Sequence, residues 1–89
     1  MLEREIEITN KLGLHARAAA KLVKVAGGFT SSIEIEKQEQ RVNAKSIMSV
    51  MMLAASRGNM VKLFVEGDDQ ADAMASVIEL IENKFGEDE

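Results

Sequence analysis

The chain has 89 residues, 46% of them hydrophobic and 29% charged, with a formal net charge of −4, one histidine and no cysteine. That length buries one core, so residues 1–89 are expected to form a single domain. Without cysteine there is no disulfide, thiolate metal site or cysteine nucleophile, and the acidic balance with Phe as its only aromatic residue type speaks against nucleic acid.

In chain order, Leu2 to Thr9 alternates, with Leu2, Ile6 and Ile8 on one face and Glu3, Glu5 and Glu7 on the other. This predicts a half-buried strand, weakened by Arg4 on the inner face. Asn10 to Leu14 is a connection whose flexible point is Gly13. Helical spacing begins at Ala16 and runs through Ala19, Leu22, Val23 and Ala26, until Gly27 and Gly28 stop it. The segment SIEIEK, residues 32–37, is a second alternating strand, and residues 38–40 form a hairpin connection to a short strand over Arg41 to Asn43.

Ser46 is placed to cap a short helix running to about Ser56. A turn at Arg57 to Asn59 leads to a third clear alternation, Met60 to Glu66, with Val61, Leu63 and Val65 inward. Asp68 or Asp69 caps a final helix with the apolar stripe Met74, Val77, Ile78, Ile81 and Phe85, ended by Gly86 and followed by a frayed acidic tail, Glu87-Asp88-Glu89. The order β-α-β-β-α-β-α predicts a two-layer α+β sandwich of sheet and helices. The strand order does not follow from periodicity. The most apolar run, IMSVMMLAA, is too short to span a bilayer, and charged residues interrupt any leader-like segment at the start. No membrane association is expected, and the cytosol is the expected compartment.

The candidate site is the segment NKLGLHARAAAKLV, which holds His15. A lone histidine is commonly an inert surface or capping residue. Here it stands at a helix start, where unpaired backbone amides and the positive end of the helix make an anion site. Arg17 adds a guanidinium suited to phosphate oxygens. A ring nitrogen with a free lone pair beside an anion cradle suggests that His15 takes up a phosphoryl group. Ser46 reads either as an ordinary cap or as a site of reversible phosphorylation, and spacing alone leaves both open. The methionine-rich run after it is either a loosely filled core or an exposed docking patch. No metal and no cofactor is expected, because one histidine leaves little but carboxylates as ligands.

Taken together, GLHARAAAKLV and NAKSIMSVMMLAASRG resemble the histidine-containing phosphocarrier family, HPr, of the phosphoenolpyruvate-dependent phosphotransferase system, over essentially the whole chain. The resemblance implies an open-faced sandwich in which three helices cover one side of a four-stranded antiparallel sheet. It implies that His15 accepts phosphoryl on Nδ1 from phosphorylated enzyme I and passes it to the A component of an enzyme II. Arg17 and the backbone amides of Ala16 and Arg17 would hold the phosphoryl group. Ile47, Met48 and Met51 match docking positions, and Ser46 matches the serine modified by HPr kinase/phosphorylase. Such a protein is a monomeric carrier, not an enzyme.

The family commonly has proline after the arginine, where this chain has Ala18, a good helix former that keeps its amide hydrogen. Two branches of the family are represented. EITNKLGLHARAA and the acidic end are similar to the nitrogen-related, regulatory branch, whereas KSIMSVM is similar to members that a serine kinase controls. The alternative reading is therefore a regulatory binding module governed by phosphorylation at His15, Ser46 or both.

Overall fold

The computed structural model describes residues 1–87. Four strands, β1 (Leu2–Glu7), β2 (Ser32–Lys37), β3 (Gln40–Asn43) and β4 (Met60–Glu66), form one antiparallel sheet in the order β1-β4-β2-β3. Three helices, α1 (Ala16–Gly27), α2 (Ile47–Met52) and α3 (Gln70–Glu82), follow β1, β3 and β4, giving the expected β-α-β-β-α-β-α order. This is the two-layer α+β arrangement that the patterning predicts, in the open-faced form that the resemblance implies.

The alternation in the strands sets the layers. Val61, Leu63 and Val65 of β4 are fully or almost fully buried, and the register brings them level with Ile6, Ile35 and Ile33 of the flanking strands. That inner face meets Ala18, Ala19, Leu22 and Ala26 of α1 and Val77, Ile78 and Ile81 of α3 in one core. On α1 the buried residues are mostly alanine, and each fully buried Val, Leu or Ile side chain of the core contributes about 1.5–3 kcal/mol. The sheet's other face is polar apart from exposed Met60 and from Phe64. Phe64 is buried there because Arg41 lies across its ring, 3.6 Å from the centroid, and is itself held by Glu34 at 2.7 Å.

The structure moves several boundaries. The first strand ends at Glu7, and Arg4 is exposed even though it alternates with inward residues, because β1 is an edge strand. The hairpin after β2 is tighter than three residues: Gln38 and Glu39 alone connect the strands, both with positive φ. That is the pairing of backbone signs that matches strand twist, here adopted without glycine. Helix α2 ends at Met52 and not near Ser56, since the chain leaves helical geometry at Ala54, whose φ is 51°.

The final helix also stops earlier than the apolar stripe implies. It ends at Glu82, and a 3₁₀ turn over Lys84–Gly86 follows. Lys84, Phe85 and Gly86 all take positive φ (55°, 57° and 77°), so the chain reverses while Phe85 stays fully buried. Phe85 therefore reaches the core from a turn and not from the helix. The reversal sends Glu87 back toward the start of α1; Asp88 and Glu89 of the expected tail lie outside the described residues.

Candidate functional site

The loop before α1 is fixed from both sides. Asn10 is buried, and its side-chain amide donates to the Gly13 carbonyl at 2.8 Å, while the Gly13 amide donates to the Asn10 carbonyl at 3.2 Å. This closes a turn that requires glycine. Gly13 has φ of 64°, and a Cβ there would sit 2.5 Å from the Ala55 carbonyl oxygen. The next residue, Leu14, donates its amide to that same oxygen at 2.9 Å, which ties the loop to the segment after α2.

His15 is thereby set as the N-cap of α1, with extended backbone (φ −73°, ψ 177°) and no capping bond from its side chain. In-helix hydrogen bonding begins where Ala19 donates to the His15 carbonyl at 2.8 Å. The amides of Ala16, Arg17 and Ala18 therefore have no acceptor within the helix and mark its positive end. Arg17 is exposed on the first turn, and Ala18 is fully buried beneath it. A side chain at position 18 thus packs into the core, while its amide belongs to the open helix end.

The imidazole itself is engaged by a residue that the sequence places in a frayed tail. Glu87 Oε2 lies 2.5 Å from His15 Nε2, and Glu87 Oε1 accepts from the Asn10 side-chain amide at 3.0 Å. These bonds tie Glu87 back onto the loop and the helix start, where the sequence predicts a frayed tail. Its carboxyl is held below the usual range, first by the Asn10 bond, then by the His15 bond and by the charges of His15 and Lys21, against the opposing effect of partial burial. An ionised carboxylate only accepts hydrogen bonds, so the proton of a neutral His15 ring resides on Nε2 and Nδ1 presents its lone pair. The Asn10 amide is oriented by the same logic, because turning it over would aim its oxygen at two acceptors. Asn10 Oδ1 is buried and accepts no hydrogen bond among the described residues.

Lys21, one helical turn and a half along α1, donates to the Phe85 carbonyl at 2.6 Å and holds the reversal in place. The residues sequence reasoning missed at this site are Asn10 and Glu87. The Asn10-to-Gly13 spacing, a common side-chain-stabilised turn, is the one local signal for the first. For the second there was none beyond Gly86.

Ser46 caps α2, accepting from the Ser49 amide at 3.4 Å, and is partly exposed. Of the run that follows, Val50 is buried, while Ile47 (39%), Met48 (68%) and Met51 (40%) are exposed, as are Met52 and, in the loop before His15, Leu12. The methionines accordingly lie outside the core. Among the described residues no cluster of histidine and carboxylate side chains could hold a metal ion, and no helix is long and apolar enough to cross a membrane.

The profile of the PTS-HPr family, described as the PTS HPr component phosphorylation site, matches residues 2–83. The chain is 52% identical over 89 residues, covering both chains entirely, to the phosphocarrier protein HPr of Cupriavidus necator. Its structure is similar to that of HPr-C-His from Thermoanaerobacter tengcongensis, with a TM-score of 0.96, 54% identity and complete coverage of both chains. A structure of an HPr dimer from the same organism is also similar, with a TM-score of 0.79, 55% identity, and coverage of 98% of this chain and 100% of that one.

Proposed function

Because the chain belongs to the HPr family of phosphocarriers of the phosphotransferase system, we propose that His15 carries the phosphoryl group. In this reading Nδ1 accepts phosphoryl from phosphorylated enzyme I and yields it to the A component of an enzyme II. The observation that carries it is the placement of the chain's one histidine at the open end of α1, with Nε2 occupied by Glu87 and Nδ1 left as the nucleophile. The amides of Ala16 and Arg17 and the Arg17 guanidinium supply positive charge where the phosphoryl oxygens would lie.

Residues 1–89 act as one carrier domain, monomeric and cytosolic, and the protein is the covalently modified substrate of two successive phosphotransferases and not a catalyst itself. Ile47, Met48 and Met51 form the docking surface for both partners. Their exposure on a short helix supports this, since a solvent-facing methionine cluster adapts to more than one surface.

A regulatory reading draws on Ser46, which is partly exposed at the head of that same apolar helix. Modification there by a serine kinase of the HPr kinase/phosphorylase type would place a dianion beside the docking residues. The regulatory module of the nitrogen-related branch, governed by phosphorylation at His15, Ser46 or both, is the form this reading takes.

The test is incubation with enzyme I and phosphoenolpyruvate. One phosphoryl group per chain is expected, labile in acid and absent from His15→Ala. An acid-resistant adduct on another residue would overturn the assignment.

A further inference from the structure

We propose that Glu87 is a positioning residue for phosphoryl transfer, acting on His15 through the hydrogen bond to Nε2. The inference rests on the reading of His15 as the phosphoryl acceptor and adds a residue that lies beyond the segment 2–83 matched by the family profile.

The geometry is built, not incidental. The chain reverses through three consecutive residues of positive φ, Phe85 is buried to anchor the reversal, and Lys21 clamps the Phe85 carbonyl. Asn10, buried under the loop, then holds one oxygen of Glu87 while the other meets the ring. Both side chains of the pair are largely shielded, with 27% of His15 and 17% of Glu87 exposed, so the contact is less screened by solvent than an ordinary surface pair.

Two consequences follow for the chemistry. First, the carboxylate selects the tautomer with hydrogen on Nε2, so the ring stands ready with its lone pair on Nδ1. Secondly, it stabilises the charge that develops. As the Nδ1–P bond forms, the bond from phosphorus to the donor's leaving atom breaks and its electron pair departs on that atom. The Nε2 proton stays where it is, and the ring becomes a phosphoimidazolium whose positive charge faces Glu87. On transfer to the acceptor the Nδ1–P pair returns to Nδ1 and the ring is neutral again. A carboxylate also repels an incoming phosphate. Its place on the Nε2 side, across the ring from Nδ1, keeps that repulsion smaller than its attraction for the ring charge.

The experiment compares wild type, Glu87→Ala and Glu87→Gln. Nitrogen NMR of the neutral imidazole reads the tautomer, and phosphorylation by enzyme I with phosphoenolpyruvate reads the rate. Wild type should show the Nε2–H form alone. Glu87→Ala should show both tautomers and about tenfold slower transfer, the rate equivalent of one charged hydrogen bond. Glu87→Gln keeps a carbonyl acceptor without the charge; it should retain more of the Nε2–H form than Glu87→Ala and transfer at an intermediate rate. A wild-type rate in Glu87→Ala overturns the proposal, whatever the tautomer, and so does a slower rate with the tautomer unchanged. If wild type is itself not phosphorylated on His15, the phosphocarrier reading fails and takes this inference with it.

Discussion

Asp69 holds Ser31 twice, accepting from its amide at 2.9 Å and from its hydroxyl, while a third bond comes from the Thr30 amide at 2.9 Å. Asp69 stands at the N-cap of α3, yet its side chain makes no capping bond there. It is turned instead across the gap to the segment between α1 and β2. Gly67 approaches the same serine so closely that a Cβ would lie 2.7 Å from the Ser31 Cα, which leaves no room for any larger residue.

These bonds favour the ionised form and lower the Asp69 carboxyl from 3.8 to about 2. A carboxyl depressed on folding contributes stability that is present above its unfolded value and is lost as pH falls through the folded one. The melting temperature of wild type should therefore drop as pH falls from about 4 to about 2, over and above the general acid loss. Asp69→Asn should be less stable at neutral pH and flatter through that window. Parallel profiles for the two proteins would show that the three bonds do not favour the charged form.

The fate of Asp69 illustrates what the sequence discloses. An acidic residue before a helical stripe signals a helix start, and the helix does start there. Nothing local says whether its carboxylate turns to its own helix or to a partner 38 residues away. The same limit applies to the sheet. Alternation at Val61, Leu63 and Val65 identifies the buried face, but not that β4 lies between β1 and β2. Phe85 was legible as buried because it continues the α3 stripe, whereas the reversal that buries it depends on left-handed backbone at Lys84 and Phe85, residue types that give no sign of it. His15 was legible because its chemistry is rare in this chain. Glu87 was not, because it is one acidic residue among many and meets His15 across a sequence separation of 72.

Exposure of the methionine helix makes a simple prediction. Replacing Met48 and Met51 together by Gln should change stability by no more than about 0.5 kcal/mol, the range for surface positions, while weakening binding to enzyme I. Phe85→Ala is the contrasting variant. It removes a fully buried ring and should cost about 3–5 kcal/mol. Denaturant melts of the two proteins and of wild type separate docking from packing; a large loss in the methionine variant would contradict its exposed position.

Arg17 is exposed on the first turn of α1, so Arg17→Ala should leave the denaturation midpoint close to wild type. If the guanidinium clamps the phosphoryl group, the loss of a charged hydrogen bond of about 1.5–3 kcal/mol slows transfer to or from His15 about tenfold or more. Rapid-quench measurement of phosphorylation by enzyme I reads this directly. An unchanged rate would reduce Arg17 to a solvated charge. Arg17→Lys should recover only part of the rate, because an ammonium cannot reproduce the two-pronged contact of a guanidinium.

At Ser46 the capping role and the proposed regulatory role predict different outcomes. Its hydroxyl accepts from the Ser49 amide at 3.4 Å, longer than a strong bond, and the helix it caps has six residues. Ser46→Ala should accordingly fall at the low end of capping losses, about 0.5 kcal/mol. Ser46→Asp should be tolerated, since a carboxylate can accept from the same amide and suits a helix start. Its effect on transfer is another matter. A fixed negative charge next to exposed Ile47 and Met48 must be desolvated when a partner covers that patch, and it adds to a chain already at net −4. The expected result is a slower phosphorylation by enzyme I with stability retained, relieved in part by salt, because the long-range component is screened within about 8–10 Å at physiological ionic strength. If the rate of Ser46→Asp matches wild type at every salt concentration, Ser46 is a helix cap and the regulatory reading loses its structural support.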